Sequence, residues 1–250
     1  MIITRPGVAV RVLIIEDNNR YASELRRAFQ QSEKGITFEA RVVTSVSGAE
    51  PFIEADQTDI YLVDLEIPEL NSAPDEKNGE MLVKKIIQRT NGGVIIHTGS
   101  LRKDSDDFLW GGVDDYIEKG DSISSVIARA FAVWRRIKAA RGNNEPPSNQ
   151  RSFRLGKWRF EPGNRNLVSD DGDSVRLSPT ELAFVQYLCS VDREIDRREF
   201  NVAVLGRPPY EQDKRIDNLV YRLREKLGDS FQLVSNNEGV YRLVSFEPPG

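Results

Sequence analysis

The strongest constraint on the fold is an apolar run that ends on acid and then recurs. Val10, Val12, Leu13, Ile14 and Ile15 form a nearly continuous apolar stretch that stops at Glu16 and Asp17. Such a run reads as a strand buried on both faces, as parallel sheets require. Further strand-like runs occupy residues 38–43, 60–63 (ending at Asp64), 94–97 (ending at Thr98) and 116–117 (ending near Lys119). Helix-like segments lie between them. One follows a cap at Asn18 or Asn19 and carries Leu25, Ala28 and Phe29 on one face. Others are predicted over residues 48–55, 80–89 and 123–140. Repeated βα units predict an α/β domain with a doubly wound, five-stranded parallel sheet, whose working groups sit at the strands' carboxyl ends.

The pattern then changes. Residues 141–150 are polar, with two prolines and a glycine, and read as a linker. Beyond them, Phe153/Leu155, Trp158/Phe160, Leu167/Val168 and Val175/Leu177 predict a small antiparallel sheet, with turns at Gly163-Asn164 and Asp171-Gly172. Ser178, Pro179 and Glu181 form a capping-box start for a helix carrying Leu182, Val185 and Leu188. Helices follow over 197–205 and 214–227, the latter stopped by Gly228, and 231–244 reads as a closing hairpin. The expected organisation is 1–138, a linker over 139–151, and an α+β domain over 152–250.

A chain of 250 residues accommodates two such domains. No run is long and apolar enough for a membrane span, and the first eight residues show no signal peptide. The single cysteine, Cys189, excludes an internal disulfide and a multi-thiolate metal site, and fits the cytoplasm. Net charge is −4. Residues 151–250 hold about 16 basic and about 16 acidic side chains, so nucleic-acid affinity there would need a local patch.

Strand ends deliver Glu16, Asp17 and Asp64, and two others deliver Thr98 and Lys119. Clustered carboxylates favour a bound cation, and Mg²⁺ is the oxygen-ligated candidate that also suits phosphoryl groups. An aspartate there can attack phosphorus, Lys119 can neutralise phosphoryl oxygens and Thr98 can donate a hydrogen bond to one. His97, the only histidine, is expected to fill space in its strand, and Cys189 to sit in a core.

On these residues the first half resembles the flavodoxin-like receiver domain of two-component response regulators, over roughly residues 9–138. The resemblance implies Asp64 as phosphoacceptor, Glu16, Asp17 and Asp64 around Mg²⁺, Thr98 and Lys119 reading the phosphate, and Tyr116 as the switch aromatic. It also implies a cognate sensor histidine kinase and a homodimer on activation, through Asp114, Asp115 and Arg129 on the last strand and helix. The sequence departs from the pattern at residues 69–78, an apparent insertion; at Glu66, a further acid two after Asp64; and at Gly120, where proline is usual.

In the second half, the helix predicted over 214–227 has an apolar face of Ile216, Leu219, Val220, Leu223 and Leu227. Lys214, Asn218, Tyr221, Arg222 and Glu225 are expected to project away from it, with Arg215 and Arg224 flanking, a layout suited to the major groove of double-stranded DNA. With Leu177–Leu182, Arg197–Phe200, 204–206 and 238–243, this resembles the OmpR/PhoB-type winged-helix domain. The resemblance implies DNA contacts from Arg222 and Arg224, with Lys214, Arg215, Asn218 and Tyr221 alongside. Tyr221 stands where a basic residue is common, and Glu238 lies in the wing, where an arginine is usual. Residues 207–212 fall where relatives contact RNA polymerase. The reading is a phosphorylation-controlled transcription regulator rather than an enzyme. Three alternatives stay open: a phosphorylation-independent regulator whose receiver is a constitutive dimeriser; an aspartate-nucleophile phosphatase, which Asp64-Leu65-Glu66 superficially allows; and an interaction module that no longer binds DNA, which the near-neutral second half and Glu238 suggest.

Overall fold

The computed structural model describes residues 9–31, 36–69, 72–99, 112–141, 153–160, 165–190, 194–203, 215–231, 233–235 and 240–243. They belong to two compact units.

The first unit runs β1 (Ala9–Ile15), α1 (Asn19–Gln30), β2 (Thr37–Val43), α2 (Val46–Ala55), β3 (Ile60–Val63), β4 (Ile67–Pro68), β5 (Pro74–Asp75), α3 (Glu76–Arg89), β6 (Gly93–Thr98), β7 (Asp115–Glu118) and, up to Trp134, α4 (Ile123–Arg141). Five strands form one sheet in the order β2-β1-β3-β6-β7, with every neighbouring pair parallel. The central strands β3 and β6 are buried along their whole length, as their unbroken apolar runs require. The edge strand β2 instead alternates exposed and buried at its start. The chain leaves β1 for β2 on one side and returns to β3 on the other, so the order reverses beside β1, where α/β sheets open a crevice.

Local chemistry sets the helix starts. Asn18 accepts from the Tyr21 amide, Ser45 from Gly48 and Asp75 from Lys77. That last cap starts α3 at Glu76, four residues before the expected 80. The expected insertion is therefore partly helix. Of the rest, β4 and β5 pair antiparallel, with Ile67 opposite Asp75.

In the second unit, β8 (Phe153–Leu155), β9 (Trp158–Phe160), β10 (Asn166–Ser169) and β11 (Ser174–Arg176) form an antiparallel sheet ordered β11-β10-β9-β8. Gly172, at φ +90°, makes the β10–β11 turn. Then come α5 (Pro179–Ser190), β12 (Glu194–Asp196), α6 (Arg197–Ala203), α7 (Arg215–Leu227), a 3₁₀ turn over Gly228–Ser230, β13 (Leu233–Ser235) and β14 (Val240–Leu243). The capping box of α5 is formed: the Ser178 amide donates to Glu181 Oε2 (2.8 Å) and the Glu181 amide donates to Ser178 Oγ (3.3 Å). Gly228, at φ +60°, ends α7. The closing hairpin acquires a third strand that the sequence did not announce, since β12 pairs with β14. One core joins Trp158, Phe160, Phe184, Phe200, Leu223 and Phe231. Phe184 and Phe200 meet edge to face at 5.0 Å, and Trp158 Nε1 donates to the Leu227 carbonyl at the end of α7. The result is a winged-helix unit. No described helix is long and apolar enough to cross a membrane.

Candidate functional site

Register brings the candidate residues of the first unit to one level. Ile15 lies beside Val63, Val63 beside Ile96, and Ile96 beside Tyr116. The next residues along β1 and β3 are Glu16 and Asp64, and two further along β6 lies Thr98. Backbone bonds continue past the strand ends: the Asp64 amide donates to the Ile15 carbonyl (2.9 Å) and the Lys119 amide to the Thr98 carbonyl (2.9 Å).

Glu16, Asp17 and Asp64 each place a carboxylate oxygen within 4.8 Å of the others. Lys119 Nζ lies 2.7 Å from Asp64 Oδ2 and 2.8 Å from Glu16 Oε2. Burial raises the Glu16 carboxyl above its usual range, more than the Lys119 contact lowers it. For Lys119, burial alone would lower the ammonium, but its hydrogen bonds and charge contacts with Asp64 and Glu16 outweigh that and raise it. Three ionised carboxylates and one ammonium leave two negative charges, the complement of one divalent cation. Thr98 is fully buried, and its Oγ1 has no hydrogen-bond partner. A buried hydroxyl without an acceptor is costly, and an oxygen-rich group in the pocket would satisfy it. Donor set and orphan hydroxyl both fit Mg²⁺ with a phosphoryl group.

The surroundings sort the other expectations. Tyr116 is half-buried, its hydroxyl raised by burial and by Glu118, Glu76 and Asp64. Glu66 is exposed, and its amide donates to Asp64 Oδ1 (3.3 Å). A Cβ on Gly120 would meet nothing within 4 Å, so crowding does not explain this departure from proline. Glu69, in the extra segment, accepts from Ser47 Oγ at 3.1 Å. Two features escaped the sequence reading. A Cβ on Gly79 would lie 2.1 Å from the Leu65 carbonyl oxygen, so α3 rests directly on the backbone after Asp64. Tyr21 OH lies 3.2 Å from His97 Nε2, so His97 does more than fill space.

The expected dimer residues have contacts of their own within the chain. Asp114 is 7 % exposed and accepts from the Val94 amide at 2.9 Å, which ties it to the start of β6. Asp115 and Arg129 do pair, at 3.2 Å, but within one chain. Arg129 also bonds the Tyr116 carbonyl and Asp121.

The DNA-facing set changes too. Asn218 and Arg222 were expected to project outward, yet they are 8 % and 4 % exposed. The cause is Glu181, fully buried in the first turn of α5. Its Oε1 lies 3.3 Å from Arg222 Nε, and its Oε2 lies 2.6 Å from Lys226 Nζ. Burial alone would raise the Glu181 carboxyl, but Arg222 and Lys226 bring it below its usual range. Asn218, one turn before Arg222, is carried to the same side. Exposed on α7 are Asp217, Tyr221, Arg224 and Glu225. Arg224 donates to the Leu233 carbonyl, and Asp217 pairs with Arg197 at 2.7 Å. Lys214, the Arg215 side chain, residues 204–212, the wing tip 236–239 and the Cys189 side chain lie outside the described residues.

No family model matches the chain. It is 31 % identical over 221 residues to the sensory transduction protein RegX3 of Mycobacterium tuberculosis, covering 86 % of this chain and 89 % of that protein. It is 26 % identical over 235 residues to the TorCAD operon transcriptional regulatory protein TorR of Escherichia coli, covering 92 % and 96 %. Among solved structures, a RitR mutant matches 94 % of this chain and 99 % of its own with a TM-score of 0.72 at 14 % identity, a likeness of fold across both units.

Proposed function

The chain belongs to the OmpR/PhoB-type response regulators, and from that premise we propose that it is a transcription regulator switched by a phosphoryl group on Asp64. The observation that carries the reading is the Lys119 ammonium bridging Asp64 and Glu16 beside the partnerless Thr98 hydroxyl. Glu16, Asp17 and Asp64 would hold Mg²⁺, which when bound offsets charge on the carboxylates and the phosphoryl oxygens.

An Asp64 carboxylate oxygen forms a bond to phosphorus as the phosphorus–nitrogen bond of a kinase phosphohistidine breaks; the electron pair stays on the imidazole nitrogen, which takes a proton from water. Lys119 turns from Asp64 Oδ2 to a phosphoryl oxygen. Thr98 donates its hydroxyl to another, and Tyr116, one strand over, follows the vacated space. The altered face around Asp115 and Arg129 then pairs two receivers. A dimer places two copies of α7 on repeated half-sites of double-stranded DNA and raises affinity through avidity. Tyr221 and Arg224 supply the described reading face, with Lys214 and Arg215 at its start, while Asn218 and Arg222 shape it from beneath. Residues 207–212 are offered as the RNA polymerase contact, residues 1–138 and 152–250 as the two domains, and the cytoplasm as the working compartment.

The test is DNA affinity with and without Mg²⁺ and beryllium fluoride, for the wild type and Asp64→Ala. The mimic is expected to tighten binding and promote dimers in the wild type alone. Tight binding indifferent to both would make the receiver a constitutive dimeriser. Turnover of a phosphomonoester would instead favour the phosphatase reading.

A further inference from the structure

Tyr21 belongs to the first turn of α1, His97 is the penultimate residue of β6, and Lys119 follows β7. Three separate elements thus bring these side chains together beside the carboxylates. The Lys119 ammonium lies 5.6 Å from the centre of the Tyr21 ring, within the range at which a ring face attracts a cation. The Tyr21 hydroxyl oxygen lies 3.2 Å from His97 Nε2, and the two rings are 5.5 Å apart at a 30° tilt. His97 is 2 % exposed, and burial together with the Lys119 charge lowers its pKa to about 4. At neutral pH its imidazole is uncharged, and Nε2 can accept the Tyr21 proton.

Lys119 has a flexible stem, and a phosphoryl group needs its ammonium in one place. The carboxylates hold Nζ on one side. As Nζ turns from Asp64 towards phosphorus, those contacts loosen and the Tyr21 ring remains on its flank. The hydrogen bond to His97 prevents that ring from swinging away. We propose that Tyr21, fixed by His97, is a positioning residue that holds the Lys119 ammonium ready for the phosphoryl group. The proposal rests on Asp64 as the phosphoacceptor.

The experiment uses the full chain at saturating Mg²⁺ and follows aspartyl phosphate formed from phosphoramidate. In parallel, NMR of chain labelled with ¹³C at lysine Cε reads the Lys119 methylene protons, assigned with Lys119→Arg. Tyr21→Leu is expected to slow phosphoryl uptake about fivefold and to remove the ring-current shift of Lys119. Tyr21→Phe, which keeps the ring but loses the hydroxyl's bond to His97, is expected to fall between the wild type and Tyr21→Leu in both rate and shift. Tyr21 is half-buried at a helix start, where leucine and phenylalanine are tolerated, and the NMR spectrum itself reports folding. An unchanged rate or shift in Tyr21→Leu, or a full wild-type rate and shift in Tyr21→Phe, overturns the proposal. A wild-type chain that accepts no phosphoryl group overturns the Asp64 reading instead. The methylene shift then decides the placement of Lys119 alone: loss in Tyr21→Leu supports it, and persistence overturns it.

Discussion

Glu181 shows how a single side chain redirects a surface. A helical wheel of residues 214–227 sends Asn218 and Arg222 away from the apolar stripe, yet both are buried. A buried carboxylate 41 positions away is the cause, because an anion out of water must be met by cations. Glu181→Ala would leave Arg222 buried without that partner. Unfolding free energy is expected to fall by about 3–5 kcal/mol, read from the second unit's transition in urea. Glu181→Gln, which keeps a hydrogen-bonding side chain, is expected to lose less. His97 makes the complementary case of a buried base kept neutral. Its folded pKa of about 4 lies below the ordinary 6.5, so the unfolded chain binds the proton more readily. The associated stability is present above pH 6.5 and is lost as pH falls towards 4. At pH 5 the loss is about 2 kcal/mol, and thermal melts of His97→Gln should lack this part of the pH dependence. The carboxylates, Thr98 and Lys119 were legible in sequence because each ends or follows an apolar run. Tyr21 was not, since nothing local distinguishes it from any other aromatic on a helix.

At the scale of elements, the sheet was readable because unbroken apolar runs leave little choice but central parallel strands. The segment after Asp64 was read less well. Counting from Pro68 to Gly79 made it look like a long insertion, but the Asp75 cap recruits its end into α3 and a short ladder orders part of the remainder. Strand β12 was missed because three residues carry no period to detect. Gly79 is where the elements bear on the chemistry. Gly79→Ala forces a methyl group to 2.1 Å from the Leu65 carbonyl oxygen, an atom that cannot rotate aside. Stability is expected to fall by about 1–3 kcal/mol. Phosphoryl uptake by Asp64 should slow as well, while a neutral exchange such as Met81→Leu on the exposed side of α3 should do neither.

For the whole molecule, charge says where affinity must come from. The chain is net acidic, and its last hundred residues balance cations against anions, so binding to DNA would rely on few phosphate contacts. The expected log–log slope of affinity against salt is shallow, about −0.9 for each phosphate neutralised, and should steepen roughly twofold when beryllium fluoride pairs two chains. A steep slope without the mimic would place more cations on the DNA than the described surface of α7 offers.

Four strands of the first unit are in register with Ile15, Val63, Ile96 and Tyr116 abreast; β1 and β3 end there, and β6 and β7 run two residues further. That alignment works as a ruler. One residue added to or removed from a single strand would shift its terminal group by about 3.3 Å and turn it to the other face of the sheet. Loops between the strands carry no such penalty. Descendants of this chain are therefore free to lengthen the segment after Asp64, but not the strands that deliver Asp64, Glu16 or Thr98.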